Sequence, residues 1–93
     1  MNLELYKIFL VVAETGNITK ASEKLNISQP AVTKHIKNLE GSLGNPLFVR
    51  TKKGVVLNEY GKTIFLKIKQ ALTLIEEAEQ EIGAYKNFNK GTI

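Results

Sequence analysis

Ninety-three residues, 43% of them hydrophobic, make one small globular domain, or a small domain with an extension. With no cysteine and one histidine, disulfides and thiolate zinc sites are excluded, and the scattered carboxylates suggest no metal site. The net charge of +4 hides an asymmetry: residues 1–70 hold 11 Lys/Arg against 5 Glu, while residues 71–93 hold 2 Lys against 4 Glu, as in a polyanion-binding body joined to something else.

Residues 2–14 read as a first helix, with Leu5, Ile8, Phe9 and Val12 on one 3.6-residue face and Gly16 as its left-handed stop. No apolar run approaches the roughly 18–20 residues that span a bilayer, and the N-terminus lacks a basic region followed by an apolar run. A cytoplasmic protein with no membrane segment is expected. Asn17 and Thr19 offer caps for a second helix over residues 18–25, with Ala21 and Leu25 inward and Lys20 and Lys24 outward. Asn26 suits the left-handed conformation of a tight turn.

Ser28 then caps a third helix that carries Pro30 in its first turn and ends near Leu43, before the stop Gly44-Asn45-Pro46. Val32, Ile36 and Leu39 form its apolar back, and Gln29, Thr33, Lys34 and Lys37 fall on other faces. Amide, hydroxyl and ammonium groups on such a front hydrogen-bond base edges and neutralise phosphates; a plain solvated face fits the same pattern. Helix, short turn and helix over residues 18–40 predict a helix-turn-helix, whose second helix enters a major groove in DNA-binding examples. Gly41, inside the third helix, costs about 1 kcal/mol relative to Ala.

Residues 47–57 change character. Leu47–Arg50 and Val55–Leu57 are β-type runs about the basic turn Thr51-Lys52-Lys53-Gly54, which predicts a hairpin. After a helix-turn-helix, such a hairpin is a wing displaying Arg50, Lys52 and Lys53 near a DNA backbone or minor groove. A solubilising loop is the alternative.

Asn58-Glu59 opens a long helix, about residues 59–85. Gly61, Ile64, Ile68, Ala71, Ile75, Ala78, Ile82 and Tyr85 alternate at spacings of three and four, an unbroken heptad seam widened by Phe65 and Leu72. Leu66 and Leu74 lie off it. The later part projects past so small a body, so its apolar residues need another chain. Lys62, Lys67 and Lys69 precede Glu76, Glu77, Glu79 and Glu81. Apart from Glu59, that order opposes the helix dipole and suits an antiparallel, two-fold symmetric partner. Residues 86–93 lose the period and read as a linker or frayed end.

With these motifs in hand, the chain resembles the N-terminal DNA-binding region of the LysR-type transcriptional regulators from residue 1 to 86. The resemblance is carried by Gly16-Asn17-Ile18-Thr19-Lys20-Ala21-Ser22, Ser28-Gln29-Pro30-Ala31-Val32-Thr33-Lys34-His35-Ile36, Leu39-Glu40, Leu43-Gly44 and Pro46-Leu47-Phe48-Val49-Arg50. It implies a mainly α fold: a winged helix-turn-helix of three helices and a two-stranded β wing over residues 1–58. A linker helix over 59–86 dimerises antiparallel, and residues 87–93 begin a linker to an effector domain. It further implies sequence-specific binding of double-stranded promoter DNA as a homodimer or tetramer. A small-molecule effector would act only through a C-terminal domain of periplasmic-binding-protein type outside this sequence, which would make the chain a DNA-binding fragment. No cofactor is implied.

Carried over by position, Gln29, Pro30, Thr33 and Lys34 face base edges. Asn17, Thr19, Ser28 and Lys37 hold phosphates, and Arg50, Thr51, Lys52 and Lys53 act from the wing. Ile64, Ile68, Ala71, Leu72, Ile75, Ala78 and Ile82 form the dimer. Lys34 stands where Arg is common and lacks its bidentate fork toward guanine; Gly41 and Asn58-Glu59-Tyr60-Gly61 also depart from the usual pattern. His35 is more often incidental on such a helix than a backbone contact. Two alternatives remain from the sequence: a protein-interaction module using the seam of residues 61–85, and, within the same class, a winged-helix regulator of the molybdate-responsive type. For an enzyme there is no nucleophile with a base, no metal cluster and no phosphate loop.

Overall fold

Helix α1 (Leu3–Thr15) begins at Asn2, whose Oδ1 accepts the Glu4 N–H at 3.0 Å, and stops at Gly16, which has φ +67° and donates its N–H to Val12 O. Helix α2 (Ile18–Leu25) is capped by Asn17 and closed by Asn26 at φ 57°. Helix α3 (Gln29–Leu43) is capped by Ser28 and closed by Gly44 at φ 78°. Strands β1 (Phe48–Thr51) and β2 (Gly54–Leu57) form an antiparallel hairpin, and helix α4 (Glu59–Thr92) follows. This computed structural model describes residues 2–92, with side chains over 2–83. Tyr85 of the seam lies outside the described side chains. The linker or frayed end expected over residues 86–93 is instead helical as far as Thr92, because no proline interrupts α4 there.

The chain is thus mainly α: three helices, a two-stranded wing and a long helix. Helix α1 is the hub, packing on α2, α3, β2 and α4. Its Phe9 and Val12 are fully buried, as are Ala21 of α2 and Val32 of α3, with Leu39 and Leu47 at 1% exposure. Burying each such large side chain contributes about 1.5–3 kcal/mol. The Phe9 and Phe48 rings lie 5.5 Å apart at 52°, joining α1 to the wing in a tilted geometry that adds about 0.5–1.5 kcal/mol.

Three boundaries differ from the sequence expectation, the late end of α4 among them. The first helix runs over residues 3–15 rather than 2–14, because Asn2 is a cap. The wing is shifted by one residue: β1 starts at Phe48, not Leu47, and includes Thr51, which pairs with Gly54 across a two-residue Lys52-Lys53 loop. Leu47 stays out of the strand because both of its backbone groups are engaged elsewhere. Its N–H donates to Glu40 Oε2 at 2.7 Å, and its carbonyl accepts the Asn58 N–H at 2.9 Å.

Helix α4 starts on that same connection. Asn58 Oδ1 accepts the Gly61 N–H at 2.9 Å, and Asn58 Nδ2 donates to Pro46 O at 2.8 Å. Gly61, read as a seam residue, is buried instead: a Cβ there would sit 2.3 Å from Leu47 O and 2.7 Å from Leu57 Cδ2. Further along, Ile64, Phe65 and Ile68 pack partly against the core and Leu72 is buried. Lys69 meets Glu14 of α1 at 3.0 Å with its Nζ 5.9 Å from the Phe65 ring; being half exposed, the pair adds at most about 1 kcal/mol. Every described side chain from Thr73 to Ile82 is exposed. At about 1.5 Å per residue, α4 sets the longest dimension of the molecule, 57 Å. Among the described residues, no helix is long and apolar enough to cross a membrane.

Two glycines of α3 and α4 should respond oppositely to a methyl group. Gly61→Ala forces its Cβ onto a backbone carbonyl and is expected to destabilise by about 1–3 kcal/mol. Gly41→Ala meets nothing within 4 Å and should stabilise by about 0.5–1 kcal/mol through helix propensity. Thermal unfolding followed by circular dichroism checks both: each kcal/mol moves Tm by roughly 4–8 °C in a domain of this size.

Candidate nucleic-acid interface

The turn between α2 and α3 is short because Asn26 takes a left-handed conformation, after which the Ile27 N–H returns to Ser22 O at 3.1 Å. Ser28 then spends its hydroxyl on the Ala31 N–H at 3.2 Å. With Val32, Ile36 and Leu39 against the core, α3 turns Gln29, Pro30, Lys34, Lys37 and Asn38 to solvent and leaves Thr33 half-buried.

The wing is brought to this helix by a close glycine contact. Gly54 has φ +144°, and a Cβ on it would lie 2.1 Å from Gly16 O. That approach lets the Val55 N–H donate to Gly16 O at 3.0 Å, so the edge of β2 rests on the α1–α2 turn. The tip is ordered by Thr51, whose hydroxyl donates to Gly54 O and accepts the Lys53 N–H, both at 3.3 Å.

These pieces enclose an open groove of about 930 Å³. It brings together Gln29, Pro30, Thr33, Lys34 and Lys37 from α3, Asn17 and Thr19 from the start of α2, and Arg50, Thr51, Lys52 and Lys53 from the wing. Of the residues expected at such a site only Ser28 is outside the lining, its hydroxyl already committed as a cap. Asn17 Oδ1 is likewise committed, accepting the Lys20 N–H at 2.9 Å, which leaves the two N–H donors of its side-chain amide. The sequence reading missed Ile18, Asn38, Gly54 and Val55 of the lining. Asn38 was detectable, since it follows Lys34 by one helical turn; Gly54 and Val55 depend on the contact with Gly16.

The electrostatics are one-sided. Five cations, Lys34, Lys37, Arg50, Lys52 and Lys53, line the groove and no carboxylate does. Among the described residues none of the five is ion-paired. Amide, hydroxyl and methyl groups lie between them. The surface therefore matches a polyanion whose interior offers hydrogen-bonding edges.

Residues 3–62 match the family described as "Bacterial regulatory helix-turn-helix protein, lysR family". The chain belongs to the LysR family. Residues 3–62 carry that family's helix-turn-helix, and the family is one of transcriptional regulators, not of enzymes. Among curated relatives, the HTH-type transcriptional regulator CysL of Bacillus subtilis (strain 168) is 40% identical over 93 residues, 100% of this chain and 31% of that protein. The nitrogen assimilation regulatory protein nac of Klebsiella aerogenes is 37% identical over 79 residues, 85% of this chain and 26% of that protein. The chain thus spans between about a quarter and a third of the length of these relatives. Among solved structures, a BenM_DBD complex with catB site 1 DNA superposes with a TM-score of 0.85 at 28% identity, over 90% of this chain and 93% of that one. The CbnR_DBD–DNA complex gives a TM-score of 0.80 at 31% identity, over 90% of this chain and 97% of that one.

The seven seam residues of this LysR-family chain do not form one uniform surface. Ile64 and Ile68 are half-buried and Leu72 is buried against its own body, whereas Ala71, Ile75, Ala78 and Ile82 are exposed. Ile64, Ile68, Ala71, Leu72 and Ile75 join Leu3 and Tyr6 of α1 and Leu43 of α3 in an apolar groove of about 350 Å³. The contributions of α1 and α3 were not read from the sequence, because the heptad pattern sees only α4.

Gly54→Ala tests the docking of the wing. The added methyl group collides with Gly16 O, so the Val55–Gly16 hydrogen bond should break and the wing swing away. Amide exchange at Val55 is expected to accelerate while exchange in the core of α1 stays slow; unchanged Val55 protection would refute the contact.

Proposed function

We propose that this chain is the sequence-specific, double-stranded DNA-binding unit of a dimeric transcription regulator, with α3 in the major groove and the wing on the backbone or minor groove. The observation that carries this reading is the groove itself: five unpaired cations, no acid, and amide and hydroxyl groups between them. A helix fits the roughly 12 Å width of a major groove. Gln29 suits adenine, the Pro30 ring and Thr33 methyl suit thymine methyls, and Lys34 reaches guanine as a single point charge. Asn17, Thr19 and Lys37 hold phosphates, with Ser28 contributing from the cap position. Arg50, Lys52 and Lys53 hold the flanking backbone, and Thr51 keeps the tip in shape.

The dimer uses α4. Ala71, Ile75, Ala78 and Ile82 present apolar surface that a monomer leaves in water, and the groove bounded by Leu3, Tyr6 and Leu43 continues it. An antiparallel partner brings Lys62, Lys67 and Lys69 of one copy toward Glu76, Glu77, Glu79 and Glu81 of the other. In the whole protein, promoter DNA is bound in the cytoplasm by a dimer or by a tetramer, and a further domain binds a small-molecule effector. The resemblance in the sequence supports these last points.

A salt titration separates the roles on DNA. A duplex selected from a random pool is compared with a scrambled one, and binding of both is expected at low salt. Lys52→Ala should reduce the log–log salt slope by about 0.9 on either duplex. Lys34→Ala should narrow the preference between them by about tenfold, on the order of 1 kcal/mol. No binding of either duplex at low salt would sink the reading.

Helix orientation has its own test, made clean by the absence of cysteine. Ala71→Cys, Ile75→Cys and Ala78→Cys are oxidised separately. A disulfide needs Cα atoms within about 7 Å. In an antiparallel pair only the position at the two-fold axis joins readily to its own copy, whereas a parallel pair would join at seam positions all along the helix.

A further inference from the structure

We propose that Glu40 is a positioning residue for the DNA contacts of the wing, an inference that rests on the DNA-binding reading above. The connection from α3 to β1, residues 44–47, contains three backbone N–H groups, because Pro46 has none. All three end on Glu40. Its backbone carbonyl accepts the Gly44 N–H at 2.9 Å and the Asn45 N–H at 3.1 Å, and its side-chain Oε2 accepts the Leu47 N–H at 2.7 Å. The first two bonds close the helix and survive any substitution. The third belongs to the side chain and fixes the direction in which the chain enters the wing, one residue before the ladder begins at Phe48.

Placement makes this more than a helix cap. Thr33, Lys37 and Glu40 follow one another at spacings of four and three, on the same stripe of α3. An acid there would repel phosphate if it faced the groove. Instead it lies half-buried and lines a small cavity of about 130 Å³ with Thr33, Lys37 and Arg50, and it is missing from the lining of the main groove. Its carboxylate makes a short, charge-assisted bond to a backbone amide, about twice as strong as a neutral one. Arg50 is three residues beyond Leu47 and Lys52 five, so a change of direction at Leu47 moves both cations relative to Lys34 and Lys37. Asn58 holds the other backbone group of the same residue, Leu47 O.

The test compares the wild-type chain with Glu40→Gln and Glu40→Asp in a salt titration on a mixed-sequence duplex. Gln keeps the acceptor at full reach and loses the charge; Asp keeps the charge and loses one methylene of reach. Positioning predicts a wild-type slope for Glu40→Gln. For Glu40→Asp it predicts a slope lower by about two to three, roughly 0.9 for each displaced wing cation. In a Lys52→Ala/Lys53→Ala background, Glu40→Asp should remove only the share of Arg50, at most about 0.9, as expected when residues act through one another. Amide exchange at Leu47 should be fast in Glu40→Asp and slow in Glu40→Gln. The proposal is overturned if Glu40→Asp keeps the wild-type slope, or lowers it equally in both backgrounds. It is also overturned if Glu40→Gln simply tightens binding, as removal of a repelling charge would do. If the wild-type chain binds no duplex, the DNA reading fails, and Leu47 exchange in the two variants still decides whether Glu40 holds the entry to the wing.

Discussion

The side chain of Leu47 sits in the core at 1% exposure, while its N–H is taken by Glu40 of α3 and its carbonyl by the Asn58 N–H ahead of α4. Three elements therefore meet on one residue: the helix that presents Gln29 to Lys37, the wing, and the long helix. An unpaired backbone group left in such a place costs about 1–3 kcal/mol, so none of the three moves without breaking a bond made by another. Gly61 tightens the junction, since only a residue without Cβ brings the first turn of α4 onto Leu47 O. The relation between α3, wing and α4 is thus set by contacts on the backbone of Leu47, one from a half-buried carboxylate and two from the start of α4.

A second glycine contact completes the groove from the other end. Gly54 lies against Gly16 O, and the wing is held both where it begins, at Leu47, and where it turns back, at Val55. This two-point support matters because the groove gathers five cations without a neighbouring acid. Their mutual repulsion is only partly screened over the Debye length of about 8–10 Å, and an unsupported hairpin would relieve it by swinging out. Apolar packing on the far side, through Phe9 against Phe48, offsets that tendency. The fold holds its cations close before any polyanion arrives.

The helices were legible because their signals are local. Asn17 and Ser28 cap where caps were expected, and Gly16, Asn26 and Gly44 adopt the left-handed stops their residue types favour. Most of the groove followed, since Gln29, Thr33, Lys34 and Lys37 need only the helical period. What was not legible depends on distant partners. Leu47-Phe48-Val49-Arg50 reads as a strand in either register, and the choice is made by a carboxylate seven residues earlier. Gly61 keeps perfect heptad spacing yet faces its own body. The seam looked like one stripe, but Leu72 at 5% exposure and Ile82 at 65% belong to different environments, because the body ends between them.

That ending explains the charge order on α4. Lysines early and glutamates late oppose the helix dipole, each at a few tenths of a kcal/mol or more, and an isolated helix of this kind is marginal in water. Over its first half the cost is offset by Ile64, Phe65, Ile68 and Leu72 on the core. Beyond Leu72 the described residues offer no such support, and Ile75, Ala78 and Ile82 stay exposed. In the proposed antiparallel pair, the partner supplies opposite charge where the dipole is least favourable. The separation of two recognition helices then follows from where along α4 the seam crosses itself. In the proposed function, half-site spacing is a property of α4 and base preference a property of α3, joined through Leu47.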